Sequence, residues 1–164
     1  MLLLEPITID NLQAFKSVRL QALTQDPSAF CSTYARESQF TDAEWIARVT
    51  RWDGREGIGL LAMDHGEPCG IAGGLLDPAD PSLAQLVSMW TAPTRRRLGA
   101  GRLLVDGVIA WAKRRGVRTL QLSVVSTNDS AINFYESLAF TKTGRTEPYP
   151  NDPNLFEYEM AKGL

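Results

Sequence analysis

Between Leu83 and Val125 the chain passes from an apolar segment through Ala92-Pro93 and an arginine- and glycine-rich turn into an amphipathic stretch, then into an alternating one. This stretch constrains the fold more than any other. Leu104, Val108 and Trp111, at steps of four and three, line one helical face over Gly101 to Arg115, and Leu103 and Ile109 widen it. Lys113, Arg114 and Arg115 suit the negative end of a helix dipole, and Gly116 supplies the stop. In Thr119 to Val125, Leu120, Leu122 and Val124 alternate with Gln121 and Ser123, as in a buried strand. Leu83 to Thr91 has the same character. Strand, crossover helix and strand demand two parallel strands joined by a right-handed connection.

The flanking segments add antiparallel neighbours. Gly57 to Met63 and Cys69 to Leu76, separated by Asp64-His65-Gly66-Glu67-Pro68, predict a hairpin. Leu2 to Thr8 predicts a first strand, and Asp10 can cap a helix carrying Leu12, Phe15, Arg19, Leu20 and Leu23, ended by Asp26-Pro27. Thr41 and Glu44 have capping-box spacing before Trp45, Ile46 and Val49. Ser28 to Phe40 has no clean period. Asn128 to Ser130 opens a short helix, Phe140 to Arg145 and Leu155 to Ala161 are the last strands, and proline-rich Thr146 to Asn154 is a stiff loop. The expected class is α+β, one mixed sheet flanked by helices in a single domain over residues 1–164.

Composition narrows the function. A net charge of -2 gives no general attraction to nucleic acid or anionic membranes. Seven basic residues between Arg95 and Arg115 face only Asp106, but no aromatic platform interleaves them, so a nucleic-acid partner is not expected. Two cysteines and one histidine have no zinc-ligand spacing, so no metal is expected. Glu5 and Pro6 interrupt the apolar start and no run is long enough to span a bilayer, so the expectation is a cytoplasmic protein without membrane contact.

In the turn Arg95-Arg96-Arg97-Leu98-Gly99-Ala100-Gly101, a strand end meets a helix start, where unpaired N–H groups hold anions and glycines permit close approach. Arg96 and Arg97 add charge suited to phosphate oxygens. A Walker loop fails because Arg102 and Leu103 follow Gly101, and a dinucleotide fingerprint fails at Leu104.

Arg96, Gly99 and Gly101 in R-x-x-G-x-G resemble the acetyl-CoA motif of the GCN5-related N-acetyltransferase (GNAT) superfamily. Met89-Trp90-Thr91-Ala92-Pro93 is similar to the strand end that precedes it. Asn128, Ser130, Ala131, Phe134, Tyr135, Leu138 and Phe140 resemble its second signature, with Ala139 where glycine is usual. The resemblance implies a GNAT-like, mostly antiparallel twisted sheet with a central splayed parallel pair, and acetyl transfer from acetyl-CoA to a primary amine. The cofactor-binding residues it implies are Met89, Trp90 and Thr91; Arg96, Arg97, Leu98, Gly99, Ala100, Gly101 and Arg102; and Asn128, Ala131 and Tyr135. A bulge near Met89 or Trp90 would aim an N–H at the thioester carbonyl, and Tyr135 would protonate the departing thiolate. The alternative is a degenerate acyl-CoA-binding sensor. Dimers are common among relatives, so a homodimer is compatible, and the amine acceptor is unknown.

Glu37 and Glu147, in irregular segments, read first as solvated carboxylates and second as candidate general bases, with Ser88 and Asn128 as polar candidates near the splay. His65 sits in a hairpin turn and is expected in solvent. Cys31 and Cys69 are expected as small buried hydrophobes. Trp45 and Trp111 are expected in the core, whereas Trp90 adjoins the expected carbonyl site. Lys113 to Arg115 read most simply as a solvated helix end, with pairing to the 3′-phosphate of the cofactor as the alternative.

Overall fold

The computed structural model describes all 164 residues. Seven strands form one sheet: β1 (Leu2–Pro6), β2 (Gly57–Asp64), β3 (Glu67–Leu76), β4 (Leu83–Thr91), β5 (Thr119–Val125), β6 (Thr141–Pro148) and β7 (Phe156–Gly163). Their spatial order is β1-β2-β3-β4-β5-β7-β6, and every neighbouring pair is antiparallel except β4 and β5. That parallel pair is the one the crossover requires. Five helices cover the sheet: α1 (Leu12–Gln25), α2 (Tyr34–Glu37), α3 (Asp42–Thr50), α4 (Ala100–Arg114) and α5 (Asp129–Ser137).

Strand alternation sorts the core into two layers. On one face Leu104, Val108 and Trp111 of α4 and Ile132 of α5 pack with Leu60, Ala72, Leu86, Leu122 and Met160. On the other, Phe15 and Val18 of α1 and Trp45 of α3 pack with Leu61, Ile71 and Trp90. Trp45 and Trp111 are core residues, as their helical faces predict. The β2–β3 hairpin closes through His65 and Gly66, both at positive φ (51° and 81°), the backbone a two-residue hairpin turn needs. All eight residues of β6 are exposed, so the outer end of the sheet carries no covering layer. No helix is long and apolar enough to cross a membrane.

Three boundaries differ from the sequence expectation. Thr8, not Asp10, begins the first helical segment: its hydroxyl accepts from the Asp10 N–H and the Asn11 side chain accepts from its own N–H, so a single 3-10 turn precedes α1. Ser28 to Phe40, which lacked a period, holds a 3-10 turn (Pro27–Ala29) and the one-turn α2. The expected loop from Thr146 is strand as far as Pro148, because the β6–β7 ladder resumes after a register shift next to Gly144, whose φ is 92°. The remaining connection is pinned by the Tyr149 hydroxyl, which donates to the Phe30 carbonyl at 2.7 Å.

Candidate active site

The parallel pair barely pairs. β4 and β5 are in register only at Leu83, Ala84 and Gln85 against Thr119, Leu120 and Gln121. Beyond that point β4 stays bonded to β3 and β5 to β7, so two strand edges face each other across a gap. A cavity of about 420 Å³ fills it, walled by Leu86 to Met89 from one edge and Leu122 to Val125 from the other. One residue of β3, Ala72, faces two of β4, Ser88 and Met89, because the ladder passes from Gly73–Val87 to Ile71–Trp90. Ser88 takes φ 57°, the left-handed conformation of a strand bulge. The extra residue reverses the alternation: Ala84 and Leu86 face α4, but Trp90 faces α1. The bulge therefore sits at Ser88–Met89, and Trp90 is back in the ladder.

From the end of β4 a 3-10 turn over Pro93–Leu98 leads to Gly99, whose φ of 89° makes the corner into α4. No side chain caps α4, and its first backbone hydrogen bond runs from the Leu103 N–H to the Gly99 carbonyl. The N–H groups of Ala100, Gly101 and Arg102 thus have no partner in the helix. A Cβ on Gly101 would stand 3.1 Å from Phe134 and 3.4 Å from Met89 Cε, so this glycine brings α4 against the bulged strand. Met89 touches the turn and also lines the cavity. Arg97 and Leu98 are exposed, Ala100 is buried, and Arg102 lies 3.8 Å from Asp106 along the helix surface.

Asn128 and Tyr135 come from α5. Asn128 caps the helix by accepting from the Ala131 N–H at 3.2 Å, and Asn128, Ala131 and Tyr135 all line the cavity. Tyr135 is 8% exposed, and burial raises its phenol well above the usual range, so it stays protonated.

Several sequence-predicted residues lie elsewhere. Glu37 is not in the cavity: both its oxygens accept from Arg19 at 2.9 Å, and Arg48 approaches from α3. Burial alone would raise its carboxyl, but the two guanidiniums outweigh that and hold it at about 2. With both oxygens accepting from guanidiniums, it is a poor base at neutral pH. Glu147 is on β6, exposed rather than in an irregular segment. Trp90 is buried on the α1 side, its indole N–H donating to Asp26 at 2.7 Å, so it does not border the cavity. Arg96 donates to the same Asp26 and to the Thr91 carbonyl, leaving Arg97 as the turn arginine without a partner. Thr91 itself is buried with an unpartnered hydroxyl. Cys31, expected to be buried, is exposed and lines the cavity, whereas Cys69 is buried as expected. His65 is in solvent in its turn.

Sequence reasoning missed Glu157. Placed on β7 opposite Val125, it is 9% exposed and borders the cavity, with the Cys31 thiol 3.9 Å from its Oε1. Burial, then the neighbouring Glu147 charge, raises its carboxyl above the ordinary range. A carboxylate so shifted takes up protons more readily at neutral pH than an ordinary one. The alternation of Phe156, Tyr158 and Met160 with Glu157 and Glu159 was its signal, since it turns two acids to the sheet face opposite Met160.

Comparisons with known proteins agree with this geometry. The model of the acetyltransferase (GNAT) family matches residues 20–140. A [ribosomal protein bS18]-alanine N-acetyltransferase of Escherichia coli (strain K12) is 41% identical over 68 residues, 41% of this chain and 46% of the relative, so the match spans less than half of that protein's length. An uncharacterized N-acetyltransferase of Schizosaccharomyces pombe is 30% identical over 117 residues, covering 70% of this chain and 69% of its own. The crystal structure of the PaiA N-acetyltransferase from Thermoplasma acidophilum, in complex with coenzyme A, superposes with a TM-score of 0.80 at 15% identity, over 100% of this chain and 99% of that one.

Proposed function

This chain belongs to the acetyltransferase (GNAT) family, and from that premise we propose that residues 1–164 act as one domain that transfers an acetyl group from acetyl-CoA to a primary amine by direct attack. The observation that carries the reading is the gap between β4 and β5. Two unpaired strand edges can bond an extended pantetheine arm as an added strand. At one end of it stands the uncapped start of α4, suited to the pyrophosphate. The tyrosine and the bulge border its middle.

In this reading Arg97 and the N–H groups of Ala100, Gly101 and Arg102 hold the diphosphate, while Arg96 fixes the turn through Asp26. The bulge at Ser88–Met89 offers a main-chain donor to the thioester oxygen, worth a factor of about 100 or more in rate where such donors are removed. Glu157 takes a proton from the acceptor ammonium, directly or through water. The freed nitrogen pair forms the C–N bond, the C–S bond breaks, and the Tyr135 hydroxyl gives its proton to sulfur. The proton that nitrogen loses as the amide forms replaces it on Tyr135, and Glu157 releases its own to solvent. Cys31 takes no part, because partial desolvation of its sulfur at the cavity wall and then the adjacent Glu157 charge raise its thiol and keep it protonated.

The test is thiol release from acetyl-CoA against a panel of primary amines, with calorimetric CoA binding beside it. Tyr135→Phe should lower kcat by about a hundredfold or more and leave CoA affinity within about twofold. Unchanged turnover would remove the tyrosine from the chemistry. CoA binding with no release for any amine would favour the sensor.

A further inference from the structure

A second cavity, of about 360 Å³, opens on the uncovered sheet face beside the first, and of the ten residues lining it only Leu83 is hydrophobic. Its walls hold Asp77, Glu147, Glu157 and Glu159 against a single cation, Arg145. None of the four carboxylates is in an ion pair, although the chain forms such pairs elsewhere. Glu147 and Glu157 are direct cross-strand partners on β6 and β7, a like-charge arrangement that destabilises a sheet.

An independent observation ties this basin to a ligand. Glu157 belongs to the walls of both cavities. It is nine-tenths buried, yet the only partner of its carboxylate is the weak thiol donor of Cys31 at 3.9 Å. A buried carboxylate with no cation is costly, and a bound ammonium offsets that cost where otherwise a proton must. Glu157 and Glu159, two positions apart on one strand face, are separated by about 7 Å along β7.

We infer that the second cavity is the acceptor's outer subsite and that it selects small amines carrying a second cationic group, a diamine being the simplest case. The inference rests on the transferase reading. The reacting nitrogen sits at Glu157, where the cavities meet, and the second ammonium lies among Glu147, Glu159 and Asp77. Asp77 already accepts from the N–H groups of Ala79 and Asp80, so Glu147 and Glu159 are the two freest acids.

The experiment compares 1,4-diaminobutane with n-butylamine, by thiol release and by calorimetric binding to the CoA-loaded protein. The wild type should favour the diamine by about tenfold or more in kcat/KM, a preference that weakens with added salt. Glu147→Gln combined with Glu159→Gln should bring the ratio close to one, mainly by raising the diamine KM. Equal use of both amines by the wild type, or a preference the double variant retains, overturns the subsite. If neither amine is acetylated but the diamine still binds through Glu147 and Glu159, the cation subsite stands, and the transferase reading falls only when the whole amine panel also gives no thiol release. Absence of both turnover and diamine binding overturns the subsite as well.

Discussion

Glu37 and Glu157 are both nearly buried carboxylates, and they lie on opposite sides of the ordinary range. At Glu37 two guanidiniums outweigh burial, whereas at Glu157 burial, then the Glu147 charge, outweighs the Cys31 thiol. A carboxyl held at about 2 in the folded chain and near 4.5 in the unfolded one contributes its full stability above 4.5 and loses it as the pH falls toward 2. The size of that contribution is about 3 kcal/mol. Replacement also strands Arg19 and Arg48. Glu37→Gln should therefore cost about 3–5 kcal/mol at pH 7, with a shallower loss of stability between pH 5 and pH 2 than the wild type. Urea unfolding at stepped pH measures both, and parallel acid slopes would take the effect away from Glu37. In the sequence Arg19 is only one of the residues that the first helix carries, beside Phe15 and Leu23, and nothing there marks it as one half of a buried pair. The partner is 18 positions away in a segment without a period, where Glu37 reads as a solvated acid and a candidate base.

The helices and strands with strong periods were legible: the hairpin β2–β3, the crossover β4–α4–β5 and the capping box of α3 all form as their patterns predict. Legibility failed where one residue departs from its element's regular backbone. The bulge at Ser88 leaves no mark in the composition of β4, and it decides that Trp90 faces α1. Ala139 is the opposite case, because its site was visible as the place where glycine is usual. The Phe140 N–H bonds to the Tyr135 carbonyl and the Ala139 N–H to that of Glu136, the left-handed helix ending in which Ala139 takes φ 71°. An alanine there costs about 1–2 kcal/mol over glycine, partly offset by its stiffer unfolded chain. Ala139→Gly should stabilise the domain by about 0.5–1 kcal/mol and raise Tm by about 1–4 °C. Scanning calorimetry decides it, and a lower Tm would mean the ending carries no strain.

At the scale of the molecule, two cores on opposite faces are joined by one sheet whose centre is unzipped. The α4 layer holds β4 and β5 from one side, and the α1–α3 layer holds β3 and β4 from the other. Beyond Gln85 and Gln121, nothing between the two strands themselves spans the opening. The main-chain groups that face it are the ones an extended ligand can bond, so binding should act as a missing strand. Ligand at a hundred times its Kd stabilises the folded state by about 2.7 kcal/mol, or roughly 5–11 °C in Tm for a chain of this size. The gain should be local in hydrogen exchange. With CoA present, amides in Leu86–Met89 and Leu122–Val125 should slow, together with those of Ala100 to Arg102. Amides in the β2–β3 hairpin, already bonded on both sides by β1 and β4, should change only by the global increment. Uniform slowing across the sheet, with no excess at the gap edges, would mean that the ligand binds elsewhere and that the splay is a feature of the fold alone.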